Sequence, residues 1–245
     1  MTKTPLSMLV AELVGTFVLA IVVLSINRYG LPIFTALSGG VVYATLAMAI
    51  GPVSGGHFNP ATTIGWLSMK KMTVVKAISY VAAQAVGAIL AWKLYEWFTD
   101  KNIKLGATEF DWKVFVAEML GMLVFAFAIT AAVKRKMDAY PAAVVIGSGF
   151  FLGASLASLV AAAGSINPAV AVSLGFRPEN SSYYAYLLGP IVGAVLGMNF
   201  YRIAFTEEKL FDFSVRGAVK KSTVSAVTKK APAKKSTAKK TSKKK

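Results

Sequence analysis

Long apolar segments separated by short polar connections dominate the chain. Each of the six longest reaches the length that a helix needs to cross the hydrocarbon core of a bilayer, about 20 residues. The six segments are 5–27, 33–51, 73–98, 114–133, 139–163 and 182–205. Repeated apolar runs of this length are typical of membrane helices. The pattern therefore predicts an all-α, multi-pass membrane protein with six transmembrane helices.

Positive charges lie mainly on one side of the predicted spans. Lysine and arginine cluster before the first span, between the second and third, between the fourth and fifth, and after the sixth. Because short cytoplasmic loops are enriched in these residues, we expect both termini in the cytoplasm and the protein in the plasma or cell membrane. The clusters are Lys3, then Lys70, Lys71 and Lys76, then Lys134, Arg135 and Lys136, and then a lysine-rich tail.

Composition divides the chain into a hydrophobic body and a basic tail. The chain is 56% hydrophobic and 16% charged, with a net charge of +16. Residues 214–245 hold Arg216 and eleven lysines without an acid, which leaves 15 basic and 11 acidic residues in 1–213. We therefore predict a hydrophobic membrane domain over 1–213 and a disordered, cytoplasmic tail over 214–245. With no cysteine, one histidine and scattered acids, we expect no metal site, no cofactor and no catalytic residues.

The body contains an internal repeat. Three short segments recur in the same order, 106 to 108 residues later. The matched pairs are Ala11–Gly15 with Ala117–Gly121, His57–Ala61 with Ser165–Ala169, and Val86–Leu90 with Val192–Leu196. Each repeat, about 5–98 and about 113–205, holds three spans. Because three is odd, the second repeat must be inverted relative to the first, and such 3+3 repeats place a pathway near the bilayer midplane.

An Asn-Pro-Ala triplet occurs at equivalent positions of both repeats. Asparagine caps helices and proline favours the first helical position, so each triplet predicts a helix start. The apolar runs that follow, Ala61–Met69 and Ala169–Phe176, are too short to span a bilayer. We therefore predict two re-entrant half-helices, which the inversion brings together tip to tip. One such triplet alone is more typical of a surface turn; two equivalent copies favour the membrane interpretation.

The predicted tips are suited to small neutral solutes. Each half-helix N-terminus carries roughly +0.5 charge, which opposes cations. Asn59 and Asn167 cap through their oxygens, so we expect their NH2 groups to face a narrow lumen, where water or an alcohol accepts both. Ala61 and Ala169 are small enough for the tips to abut. The motif residues are Asn59, Pro60, Ala61, Asn167, Pro168 and Ala169.

Over about 5–205 the sequence resembles the aquaporin and glycerol-facilitator family, the major intrinsic proteins. The segments that carry the resemblance are Ala11–Phe17, Ser54–Thr63, Ala83–Ala88, Gly164–Ala169 and Gly189–Ala194. The resemblance implies six tilted helices, two half-helices, one pore in each subunit, a homotetramer and passive transport rather than an enzyme. Its implied substrates are water and small neutral solutes such as glycerol.

The chain departs from the family at the outer constriction of the pore. Val170 stands where the family has an arginine, and Ala171 stands where glycerol facilitators add an aspartate. Counting from the two asparagines gives the constriction Gly39, Ser155, Gly164 and Val170. We expect this opening to be wider than in a water-specific channel and to select by size and apolar contact. Tyr43 or Phe151 would narrow it by swinging into the gap.

Several polar residues leave two interpretations open. Glu12 and Glu118 lie inside spans, where acids are functional candidates. They are either a proton relay or, as the resemblance implies, braces for the loops that carry the half-helices; Gln84 has a similar status. His57 is either a pH sensor in the vestibule or a hydrogen-bonded loop residue.

The tail and the missing arginine define the alternatives. The tail is suited to anionic lipid, at about 1 kcal/mol per basic residue near the surface. Nucleic acid is a second partner, and a solubilising tail without a partner is a third interpretation. The alternatives to a neutral-solute channel are a weakly selective ion channel and a membrane scaffold that acts through its tail.

Overall fold

A computed structural model describes residues 4–103, 108–160 and 163–206, and these contain helices and no strand. The predicted tail, 214–245, lies outside the described residues. The helices are α1 Pro5–Asn27, α2 Pro32–Ala49, α3 Gly51–Ser54, α4 Pro60–Ser68, α5 Val74–Thr99, α6 Trp112–Lys134, α7 Ala139–Ala157, α8 Pro168–Ser173 and α9 Ser182–Phe205. Among the described residues, six helices are long and apolar enough to cross a membrane, which confirms the predicted spans.

Local signals in the sequence explain where several spans begin. The side chains of Thr4, Thr73 and Asp111 each accept a hydrogen bond from a backbone N–H in the first turn of α1, α5 and α6. Such caps satisfy N–H groups that have no partner within the helix. Proline occupies the first turn of α1 and α2, where its missing N–H costs nothing.

Two spans end earlier than the hydrophobic pattern predicts. The second ends at Ala49 because Ile50 leaves the helical region, and the short helix α3 follows as a separate element. The fifth span, α7, ends at Ala157, and only one 3-10 turn, Ser158–Val160, follows it. Hydrophobicity continued past both points, so it alone did not mark the ends.

Equivalent glycines bring the helices of each repeat into close contact. A Cβ atom on Gly87 would lie 2.4 Å from the carbonyl oxygen of Leu13, and one on Gly193 would lie 2.1 Å from that of Met119. These contacts join α1 to α5 and α6 to α9 at repeat-equivalent positions. Small residues are favoured in such membrane-helix contacts because they let backbones approach closely. The inverted repeat therefore has the same packing in both halves.

The two half-helices are α4 and α8, and both start at the proline of an Asn-Pro-Ala triplet. α4 ends at Ser68, within a residue of the prediction. α8 ends at Ser173, three residues before the predicted Phe176. Both pack within the core formed by the six long helices.

Candidate permeation site

The two asparagines cap the half-helices through their side-chain oxygens. Asn59 Oδ1 accepts a hydrogen bond from the backbone N–H of Ala61 at 2.8 Å, and Asn167 Oδ1 accepts one from that of Ala169 at 3.0 Å. Both asparagine side chains are fully buried. The Asn-Pro signal in the sequence therefore corresponds to a helix cap in both repeats.

Each asparagine also binds the opposite half of the molecule. Asn59 Nδ2 donates to the backbone oxygen of Ile166 at 2.9 Å, and Asn167 Nδ2 donates to that of Phe58, also at 2.9 Å. The two acceptors are the residues directly before the partner asparagines. The sequence predicts that both NH2 groups face the lumen. In the structure, one hydrogen of each is used in these two reciprocal bonds, called the reciprocal lock below. The Asn59 amide also donates to Met122 Sδ, a weak acceptor, at 3.8 Å, so only the second amide hydrogen of Asn167 has no acceptor among the described residues.

Two buried carboxylates hold the loops that precede the half-helices. Glu12 accepts hydrogen bonds from the backbone N–H groups of His57, at 3.0 Å, and Phe58, at 2.7 Å. Glu118 accepts the equivalent bonds from Ser165, at 3.0 Å, and Ile166, at 2.6 Å. Both carboxylates are fully buried. A carboxylate is the acceptor that two adjacent buried N–H groups require, because an unpaired buried donor is costly.

A polar network continues from Glu12 to the histidine. Gln84 Nε2 donates to Glu12 at 2.7 Å and to Thr63 Oγ1 at 3.0 Å. The His57 Nδ1 atom lies 3.1 Å from the same Thr63 oxygen, and the His57 ring packs edge-on against Tyr80. His57 is therefore a hydrogen-bonded loop residue that also lines a cavity.

That cavity, called the vestibule below, has a volume of about 590 Å³ and opens beside the first half-helix. Its wall combines the polar loop before Asn59 with apolar side chains of α2, α6 and α7. Three lysines lie at its rim. The residues of the wall that matter below are Tyr43, His57, Thr62, Ile129, Ile146, Lys71, Lys76 and Lys134.

Of the four predicted constriction residues, Gly39, Gly164 and Val170 are buried and Ser155 is half-buried. A Cβ atom on Gly164 would lie 2.7 Å from the carbonyl oxygen of Ala154, which makes Ala154 the α7 residue in contact with Gly164. The hydroxyl of Ser155, one position further, is buried and has no hydrogen-bond partner among the described residues. The structure brings Gly164 against α7, but through the residue next to Ser155.

The aromatic side chain beside Gly39 is one that sequence reasoning missed. A Cβ atom on Gly39 would lie 2.4 Å from Cε1 of Phe150. The sequence predicts Tyr43 or Phe151 in this gap, whereas Phe151 lies against Gly40 where α2 and α7 are in contact. A shift of one residue turns a side chain by about 100° around a helix, so only the rotation of α7 decides between the two phenylalanines.

Arg177 is a second residue that sequence reasoning missed. Its guanidinium lies 3.8 Å from the centre of the Trp92 ring and donates to the backbone oxygens of Val172 and Phe176, at the end of α8. Burial lowers the pKa of this guanidinium from its usual value, while Glu179 and Glu96 oppose the shift. A cation at a helix C-terminus is favourable because the carbonyl ends are negative. An arginine soon after a short half-helix was the available signal.

Two half-helices that start at locked asparagines, inside an inverted repeat of six membrane helices, define a channel-type membrane protein. The family described as Major intrinsic protein matches residues 2–201. The chain therefore belongs to the major intrinsic protein family, whose members are channels and not enzymes.

Relatives and a solved structure agree with this assignment. Nodulin-26 from Glycine max is 34% identical over 220 residues, covering 84% of this chain and 80% of that protein. Aquaporin-5 from Mus musculus is 33% identical over 204 residues, covering 77% and 74%. The X-ray structure of the aquaglyceroporin from Plasmodium falciparum has a TM-score of 0.68 at 20% identity, covering 81% of this chain and 96% of that one. This last similarity confirms the fold.

Proposed function

We propose that the chain is a passive channel for water and small neutral solutes, with its pathway between the two repeats. The observation that carries the proposal is the reciprocal lock of Asn59 and Asn167 at the tips of two opposed half-helices. The lock leaves the second amide hydrogen of Asn59 on the weak acceptor Met122 Sδ and that of Asn167 without an acceptor among the described residues. The positive helix ends oppose cations. The names of the relatives, which include aquaporins and an aquaglyceroporin, support water and glycerol as candidate solutes.

The buried carboxylates act as braces in this proposal. Each of Glu12 and Glu118 satisfies two consecutive backbone N–H groups next to an asparagine, and Gln84 holds Glu12 in turn. Both acids bind backbone N–H groups of the loop before an asparagine, and among the described residues no chain of acids links them. A structural role therefore accounts for their burial better than a proton relay does.

Beyond the asparagines, we propose that Gly39, Ser155, Gly164 and Val170 form a wide, uncharged outer constriction. Val170 supplies no hydrogen-bond donor where the family resemblance implies an arginine. Selection at this level then depends on size and apolar contact.

The family resemblance and the charge pattern support proposals on the oligomeric state, the membrane orientation and the partner of the tail. We propose a homotetramer with both termini in the cytoplasm of a cell or plasma membrane, and a lysine-rich tail over 214–245 that binds anionic lipid. Nucleic acid is the less favoured partner of the tail. In vesicles, removal of 214–245 is expected to weaken binding to anionic lipid and to leave water permeability unchanged. A truncated chain that loses its cellular role while keeping its permeability would favour the scaffold alternative.

Osmotic measurements on proteoliposomes test the central proposal. Vesicles that contain the full chain are expected to shrink faster than protein-free vesicles when a membrane-impermeant osmolyte is added, with a weak temperature dependence typical of a pore. Entry of glycerol, urea and ammonia, measured in the same vesicles, identifies the solutes. Equal shrinkage rates with and without protein would contradict the proposal.

Val170 is the specific observation that favours a second candidate function, a weakly selective ion channel. Planar-bilayer recordings of the wild type and Val170→Arg test it. A neutral-solute channel is expected to show no ionic current in either protein. A current in the wild type that the added arginine suppresses would establish the second candidate.

A further inference from the structure

Three aromatic side chains from three helices meet inside the core and are called the aromatic collar here. Tyr43 of α2, Phe125 of α6 and Phe150 of α7 are each at most 2% exposed. The ring centroids of Tyr43 lie 4.9 Å from those of Phe125 and 5.5 Å from those of Phe150, and the two phenylalanines are 5.3 Å apart. Because each ring contacts both others, no gap separates them.

α6 shows where the collar lies along the pathway. Met122 Sδ is 3.8 Å from Asn59 Nδ2, and Ile129 lines the vestibule. Phe125 lies between them on the same helix. With a rise of about 1.5 Å per residue, it is about 4.5 Å along the helix axis from Met122 and about 6 Å from Ile129.

α7 gives the same order. Ala154 contacts Gly164, near the second asparagine, and Ile146 lines the vestibule. Phe150 lies midway, four residues from each. The collar therefore separates the vestibule from the asparagine pair by about one helical turn on each side.

Tyr43 occupies hydrogen-bond acceptors at this point. Its hydroxyl donates to the backbone oxygen of His57 and lies 3.3 Å from that of Gly56. These are carbonyls of the loop that leads to Asn59, on the wall that a solute leaving the vestibule would follow. A permeating molecule must replace the tyrosine hydroxyl at these oxygens, or pass without their hydrogen bonds.

Gly39 lies directly against the Phe150 ring of the collar. A side chain at this position would overlap the Phe150 ring, since even a Cβ atom would lie 2.4 Å from Cε1. The space that Gly39 leaves in the predicted outer constriction is therefore filled by the Phe150 ring from α7. The aromatic group narrows the pathway on the vestibule side of the asparagines instead.

We propose that the aromatic collar, with Tyr43 as its specificity-determining residue, sets the size limit of the channel. To pass the collar, a molecule must replace the tyrosine hydroxyl as the hydrogen-bond partner of the Gly56 and His57 carbonyls. Only small molecules fit there, and water is the smallest. Glycerol and urea are held back there, whatever the width of the outer constriction. This inference rests on the proposed channel function.

Permeability of proteoliposomes to water, glycerol and urea, normalised to the incorporated protein, tests the collar. Tyr43→Phe keeps the ring but frees the loop carbonyls, so water permeability is expected to rise severalfold. Tyr43→Ala also removes the ring and is expected to admit glycerol and urea, which the collar is expected to exclude from the wild type. Size-exclusion profiles establish that each variant is folded, and Tyr43→Phe remains informative where Tyr43→Ala is not.

Tyr80→Phe is the matched control. The Tyr80 hydroxyl is buried and donates to the backbone oxygen of Ser54, in the same loop, at 2.7 Å, but Tyr80 does not line the vestibule. Its removal is expected to leave all three permeabilities unchanged.

The outcomes separate the two proposals. Water flux in the wild type that neither Tyr43 substitution alters would overturn the collar and leave the channel function intact. An equal rise in Tyr80→Phe would also overturn the collar, because it would show that loosening the loop is sufficient. Absence of flux in the wild type and in every variant would overturn the channel function and the collar with it.

Discussion

The two repeats share their backbone geometry but differ in the side chains that support it. In both, a buried glutamate binds two consecutive N–H groups before the asparagine. In the first repeat, the Gln84 amide donates one hydrogen bond to that carboxylate and another to the Thr63 hydroxyl. At the position equivalent to Gln84, the second repeat has Pro190, inside α9, which has no side-chain donor.

The second repeat gains support at the other end of its half-helix. α8 has 6 residues where α4 has 9, and Arg177 binds the carbonyl groups at its end while stacking on Trp92. The end of α8 is therefore held by a guanidinium, whereas the end of α4 is held by the Asn199 amide through Ser68. The inverted repeat therefore preserves the contacts of the backbone, while the side chains around them have diverged.

Substitution of the two buried glutamates is expected to have the largest effect on stability. It tests the carboxylate–backbone bonds that both repeats share. Glu12→Ala and Glu118→Ala each leave two backbone N–H groups buried without an acceptor, at about 1–3 kcal/mol per group. Both variants are therefore expected to lose similar amounts of stability, measured by thermal unfolding in detergent. Glu109→Ala, at an exposed position, is the control and should change little. A loss confined to one of the two glutamate variants would show that the repeats are not equivalent.

Removal of the Gln84 amide tests the part that only the first repeat has. Gln84→Met keeps the approximate shape but takes one hydrogen bond from the Glu12 carboxylate, so we expect a loss of about 1.5–3 kcal/mol. Unfolding measured as for the glutamates gives the value. Asn199→Met is the control, since its amide binds Ser68, the exposed last residue of α4. Equal losses in the two variants would argue against a network specific to the first repeat.

Arg177→Lys is expected to have the smallest effect and tests the support specific to the second repeat. Lysine keeps the charge at the end of α8 but lacks the planar guanidinium that stacks on Trp92, so a loss of about 1 kcal/mol is expected. Arg28→Lys is the matched control, because Arg28 stacks on Tyr29 in an exposed turn, 4.7 Å from the ring centre. If Arg177→Lys unfolds at the wild-type temperature, the stacking contributes nothing to the stability of α8.

The sequence predicted features that depend on length, spacing and local capping. The six spans follow from hydrophobic length, and both half-helix starts follow from Asn-Pro at equivalent positions of the repeat. These depend on short-range preferences that a chain shows wherever it folds.

Features that depend on how one helix is rotated against another were not predictable. The choice of Phe150 rather than Phe151 beside Gly39 turns on the rotation of α7. The direction of each asparagine amide depends on a carbonyl more than a hundred residues away in the sequence, so no local sequence pattern predicts it. The stacking of Arg177 likewise depends on where Trp92 lies in the fold.

The reciprocal asparagine bonds have a consequence for the origin of the molecule. Neither three-helix half can satisfy its own asparagine amide, because the acceptor belongs to the other half. A half produced as a separate polypeptide would complete the same bonds only by pairing with a second copy inserted in the opposite orientation. Fusion of two such copies into one chain makes that dual insertion permanent, and it frees each half to diverge as Gln84 and Pro190 have done.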